Sequence, residues 1–217
     1  VEVGGRRMEP ATGQLLLDFE GGEFQKMLVF PERTAKDVLK AAEAARRMES
    51  ALWFEKAVEL EQSGAPEVEV VSAYERAVEL DPASAGALVN LGTFYFNRRD
   101  LEKAEECYRR ALEAEPSYAL AHFNLGNLFD ERGEYGKALL HYTMALRLDP
   151  DYADAHYNLA LLYQASGQLL RAVRHWKAYL RLDPSSSWAD TARQELEKLR
   201  RLAIIPGVRS QPVPTSR

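Results

Sequence analysis

The sequence predicts an all-α chain, a solenoid of antiparallel helix hairpins with a C-terminal capping helix and a short β-like or extended N-terminal segment. Three observations lead there. Asp81-Pro82, Glu115-Pro116, Asp149-Pro150 and Asp183-Pro184 recur 34 residues apart. The same frame carries Leu91-Gly92, Leu125-Gly126 and Leu159-Ala160, the aromatics Tyr95, Phe129 and Tyr163, the small residues Ala104, Ala138 and Ala172, and then Tyr108, Tyr142 and Trp176. Each unit holds two stretches of helical apolar period, split by a polar break at 97–100, 131–134 or 166–168.

Taken in order, residues 1–33 are expected to be extended, with β-like stretches at Val1–Val3 and Gln14–Phe19 and breakers at Gly4-Gly5 and Gly21-Gly22. Residues 34–203 form the helical array. An alanine-rich helix starts near Thr34, with Val38, Ala41, Ala42 and Ala45 on one face, and runs to about Gln62. A degenerate repeat covers 50–84, with Trp53, Ala57 and Leu60 in its first helix and Tyr74 and Ala77 in its second. Regular repeats follow at 85–118, 119–152 and 153–184. Each proline ends its second helix, because it lacks an N–H and restricts the residue before it. A glycine at 92 or 126 costs about 1 kcal/mol of helix propensity. Close approach of the neighbouring helix is the expected compensation, with the alanines as the matching small surface and the second-helix aromatics filling the space beside it. Tyr179 stands where the earlier repeats have Ala77, Ala111 and Ala145, so a different neighbour is expected there. Residues 186–203 read as the cap, with Trp188, Ala192, Leu196, Leu199 and Leu202 on one stripe. A polar, proline-containing tail at 204–217 is expected to be disordered.

Composition narrows the function classes. The net charge is −5, from 28 basic and 33 acidic residues among 217, so there is no surplus of positive charge to drive direct nucleic-acid binding. No apolar run is long enough for a membrane span. The single cysteine, Cys107, excludes an intrachain disulfide and suits a reducing compartment, hence a cytoplasmic expectation. Cys107 has no base and orienting partner in view and reads as structural. With no nucleophile set and no metal-ligand spacing, neither catalysis nor a cofactor or metal is expected.

The leucine–glycine pair, aromatic, small residue, aromatic and proline resemble the tetratricopeptide repeat family over residues 85–184. The resemblance implies a right-handed superhelix whose first helices line a concave groove that binds a protein or peptide. In that frame Asn90, Asn124 and Asn158 repeat at one groove position, where a column of amides can pair with the backbone of an extended ligand. Phe54, Val58, Val89, Thr93, Phe96, Phe123, Asn127, Tyr157 and Leu161 are placed beside them as an apolar, aromatic floor for an extended peptide or an amphipathic helix. The positions at which chaperone-binding members hold a terminal carboxylate carry Gly86, Val89, Asn90, Asp154, Tyr157 and Asn158 here, none of them basic. His122 with His156, and His141 with His175, lie one repeat apart. That is too far for a shared ion, so they are expected to be partly exposed packing residues.

Two alternatives stand beside the peptide scaffold. Residues 9–19 resemble the central part of bacterial regulators that join a MerR-type winged helix to such repeats. That resemblance implies a partner-sensing half whose DNA-binding part lies outside this chain. The apolar runs within residues 14–30 also suggest self-association, by docking in a groove or by pairing strands across a dimer.

Overall fold

The computed structural model describes Glu2–Val3, Arg6–Arg7 and residues 34–201. The chain divides into two units, Val1–Ala45 and Arg46–Arg217. In the first unit β1 (Glu2–Val3) pairs antiparallel with β2 (Arg6–Arg7). The first eleven residues of helix α1 (Ala35–Gln62) also belong to it. Thr34 and Asp37 cap that helix reciprocally: the Asp37 N–H donates to Thr34 Oγ1 at 3.2 Å, and the Thr34 N–H donates to the Asp37 carboxylate at 3.1 Å. The expected strand at Gln14–Phe19, the 9–19 and 14–30 segments and the 204–217 tail lie outside the described residues.

The second unit holds the rest of α1 and eight further helices among the described residues. These are α2 (Glu67–Leu80), α3 (Ala85–Asn97), α4 (Leu101–Ala114), α5 (Ala119–Glu131), α6 (Tyr135–Leu148), α7 (Ala153–Ala165), α8 (Leu169–Leu182) and α9 (Ser187–Arg201). Helices α3 with α4, α5 with α6, and α7 with α8 are close-packed hairpins, and each packs on the next. A left-handed residue turns each hairpin: Arg99 (φ 64°), Gly133 (φ 73°) and Gly167 (φ 73°), one repeat apart. Only the first is not glycine.

The packing at the glycines refines the sequence expectation. It is the ring of the second-helix tyrosine, rather than the alanine, that lies on the glycine. A Cβ at Gly92 would sit 2.6 Å from the Tyr108 ring, and one at Gly126 would sit 2.5 Å from the Tyr142 ring. Ala104, Ala138 and Ala172 are fully buried alongside. The first hairpin differs. Val70 occupies the place of those alanines, and α1 and α2 stand further apart than the later pairs. Ser50, buried under α2, satisfies its hydroxyl on the Ala77 carbonyl at 2.7 Å.

Tyr179 does have a different neighbour. Its hydroxyl meets the Asp183 carboxylate at 3.0 Å and the Ser186 hydroxyl at 2.9 Å, and Ser186 Oγ in turn accepts from the Ala189 N–H in the first turn of α9. The cap buries Ala189, Ala192 and Leu199. Trp188, expected on the buried stripe, is instead 61% exposed and stands edge-on to Tyr157 at 5.5 Å.

Candidate peptide-binding face

One repeated polar unit runs along the first helices of the array. In α2 the Tyr74 hydroxyl donates to Glu61 Oε2 at 2.9 Å and accepts from Asn90 Nδ2 at 2.8 Å. One repeat on, Thr93 Oγ1 accepts from the Tyr108 hydroxyl at 3.3 Å and from Asn124 Nδ2 at 3.2 Å. In the next, Asn127 Oδ1 accepts from the Tyr142 hydroxyl at 2.8 Å and from Asn158 Nδ2 at 2.9 Å. Each unit joins a second-helix tyrosine, a polar side chain on the first helix of the same hairpin, and the asparagine of the following repeat. Desolvation pushes the phenols of Tyr74 and Tyr108 up to about 12 and raises that of Tyr142 further, so all three remain donors at neutral pH.

The asparagines therefore use their N–H groups to tie one repeat to the next. The side-chain carbonyls of Asn90, Asn124 and Asn158 accept no hydrogen bond among the described residues, and all three side chains are half-buried. The unit ends at the fourth hairpin. Leu161 replaces Thr93 and Asn127, and Trp176 replaces the tyrosine and donates to Gln164 Oε1 at 3.1 Å.

The remaining floor residues differ in burial. Val89 is fully buried in the main core and does not line the face. Phe54, Phe123 and Tyr157 are half-buried. The Phe54 ring covers Gly86, at 3.2 Å from where a Cβ would stand. Phe123 lies between Tyr142 and Tyr152, at 5.8 and 4.8 Å, and Tyr157 lies among Trp176, Tyr179 and Trp188. Leu161 is 42% exposed and is the open apolar contact of the predicted set. Phe96, like Phe123 and Tyr157, is partly buried against the main core. The tyrosine hydroxyls and Glu61 were missed by sequence reasoning. The usable signal was that positions 74, 108 and 142 are all tyrosine, where a phenylalanine would fill the same volume.

The histidines pair across each hairpin, a partnership different from the one-repeat register expected from the sequence. Nδ1 of His122 meets Nδ1 of His141 at 3.1 Å, and Nδ1 of His156 meets Nδ1 of His175 at 2.9 Å. His156 donates from Nε2 to the Pro150 carbonyl at 3.0 Å. A neutral His156 therefore presents a bare Nδ1, which accepts from Nδ1–H of His175. His122 is likewise bonded to the Pro116 backbone. His141 stacks on Phe129 and His175 on Tyr163, each at 5.4 Å. Burial first, and the histidine partner second, hold the imidazoles of His141 and His175 down to about 4. Two rings alone do not complete a metal site, and no group of three or more His, Cys, Asp or Glu side chains is placed to hold an ion among the described residues. No described helix is long and apolar enough to cross a membrane.

Tetratricopeptide repeat models match residues 85–118, 107–139 and 153–186, and a TPR repeat model matches residues 126–167. This is a tetratricopeptide repeat protein. Similar solved structures share the tetratricopeptide fold at low identity. PilF of Pseudomonas aeruginosa is 22% identical, with 74% of this chain and 71% of that chain covered and a TM-score of 0.63. MamA is 20% identical, with 71% and 88% covered and a TM-score of 0.55. The first TPR of Spaghetti (RPAP3), bound to an HSP90 peptide, is 21% identical, with 56% and 96% covered and a TM-score of 0.50. No curated protein sequence matches the chain. None of these findings supports the resemblance of residues 9–19 to MerR-type regulators. The family is typically non-catalytic and serves protein–protein interaction.

Proposed function

We propose that the chain is a non-catalytic scaffold that holds an extended segment of a protein partner along the first-helix face. The observation that carries this reading is the row of Asn90, Asn124 and Asn158. Each spends an Nδ2 N–H within the array, and their carbonyls remain as acceptors at a 34-residue repeat. Acceptors at a regular interval suit the backbone N–H groups of an extended peptide, independent of its side chains. Each such bond contributes about 0.5–1.5 kcal/mol net. Leu161, Trp188 and Tyr157 add an apolar seat at the C-terminal end of the row. The similar Spaghetti repeat is bound to a peptide. Here the corresponding clamp positions carry no basic side chain, so an acidic tail is not the favoured ligand.

Peptides selected on the purified protein from a random displayed library test the reading. They are expected to compete for one site and to lose binding to Leu161→Glu, a change at an exposed position. They should also weaken by roughly tenfold when one interior backbone N–H is methylated. Selected peptides indifferent to both changes would refute it.

A further inference from the structure

The first hairpin carries a cavity. Val70 stands where the other second helices have alanine, α1 and α2 lie further apart than the later pairs, and a space of about 290 Å³ opens at the N-terminal end of the asparagine row. Its walls are apolar, from Val70, Val71 and Phe94, and its polar edge is formed by Glu61, Asn90 and Asn97. That volume suits one long side chain.

The charge at this edge is negative and only half neutralised. Of the two carboxylates lining the cavity, Glu67 is held by Arg98 in a two-point pair at 3.0 and 3.3 Å. Glu61 accepts the Tyr74 hydroxyl on Oε2 and meets no cation among the described residues. Arg98 also illustrates the chemistry the place accepts: its guanidinium lies over the Phe94 ring at 5.1 Å while it pairs with a carboxylate. The surrounding helices add Glu55, Glu59, Glu69 and Glu75 against Lys56, with Glu79 paired to Arg76, a net negative balance that biases the local field toward cations.

We propose that this cavity takes the side chain of a lysine or arginine of the bound peptide, with its methylenes on Val70 and Val71 and its cationic head on Glu61. The inference rests on the peptide-scaffold reading and adds the chemistry of one ligand position to it.

The test uses the full chain, isotope-labelled for amide spectra, and acetylated, amidated alanine heptapeptides that differ only in a central arginine, lysine or citrulline. The arginine and lysine peptides are expected to shift the Thr93 amide and the Asn90 and Asn97 side-chain signals, and to bind roughly three- to tenfold more tightly than the neutral citrulline peptide. Glu61→Gln keeps an acceptor for Tyr74 and should erase that preference, with the rest of the spectrum unchanged. Equal binding of charged and neutral peptides, or a preference that survives Glu61→Gln, would overturn the inference. If the Asn124 and Asn158 side-chain signals still respond in that case, the scaffold reading survives it. If those signals are silent with every peptide, both readings fail.

Discussion

Acidification should loosen this array between pH 6.5 and about 4, through its two histidine pairs. In the folded chain His141 and His175 sit near 4 against an ordinary 6.5, held there by burial first and by the partner ring second, with Arg109 adding to the effect at His141 and Glu105 opposing it. A depression of about 2.5 units corresponds to roughly 3.4 kcal/mol for a fully enclosed ring. These rings are half-buried, so solvent screening leaves about 1–2 kcal/mol for each pair. Above 6.5 both folded and unfolded chains hold neutral imidazoles and nothing is lost. As pH falls toward 4 the unfolded chain takes up protons that the folded pairs refuse, so stability drops. Each pair can accept one proton on the outer nitrogen of His141 or His175 and keep its Nδ1 bond. A second proton taken up by the pair breaks it. Urea midpoints followed by circular dichroism across this range, in the parent and in a His141→Asn, His175→Asn variant, isolate the effect from the carboxylates. The parent is expected to lose about 2–4 kcal/mol more than the variant. Parallel curves for the two proteins would refute the reasoning.

Three further outcomes follow from the packing. Gly126→Leu should cost about 1–3 kcal/mol in urea unfolding, because its first side-chain atom already falls within 2.5 Å of the Tyr142 ring. Arg99→Gly should raise stability by about 0.5–1 kcal/mol, since it relieves a left-handed non-glycine residue where the equivalent turns use Gly133 and Gly167. It surrenders only the exposed Arg99–Glu131 pair. Cys107 is buried, and desolvation pushes its thiol up to about 11, so labelling by a thiol reagent at neutral pH should track global unfolding.

The repeat architecture was legible because the 34-residue period marks equivalent positions. Leu-Gly, the second-helix aromatic and the acid–proline pairs fall where α3 to α8 begin, pack and end, and the alanine-rich start of the long first helix was readable in the same way. Equivalence does not name partners. The histidines were matched at one repeat, yet the pairs form at a separation of 19 residues, from one helix of a hairpin to the other. The asparagines bond at 16 and 31 residues, to the preceding hairpin. Those separations depend on how helices cross, which no single-chain pattern specifies. Val89 illustrates the same limit: it adjoins Asn90 in sequence, yet one residue is about 100° around a helix, enough to move it from the face into the core. Val70, which lines the first-hairpin cavity where later repeats have alanine, is a signal present in the sequence but without meaning until the helix spacing is known.

The departures from the repeat gather at its two ends and differ in kind. At the N-terminal end a bulkier second-helix residue lines a cavity, and Glu61 takes the tyrosine hydroxyl that Thr93 and Asn127 take later. At the C-terminal end Leu161, Trp176 and Tyr179 replace the polar and small residues of that frame, and Trp188 of the cap stands beside them. A uniform row of asparagine carbonyls would accept a peptide in either direction and at any one-repeat offset. On the proposed reading, an anionic cavity at one end and an aromatic, apolar seat at the other would remove that degeneracy, because a reversed or shifted peptide would lay an apolar side chain against the Glu61 carboxylate and leave it without its cation. The middle of the face is thus suited to affinity, and its irregular ends to direction and register.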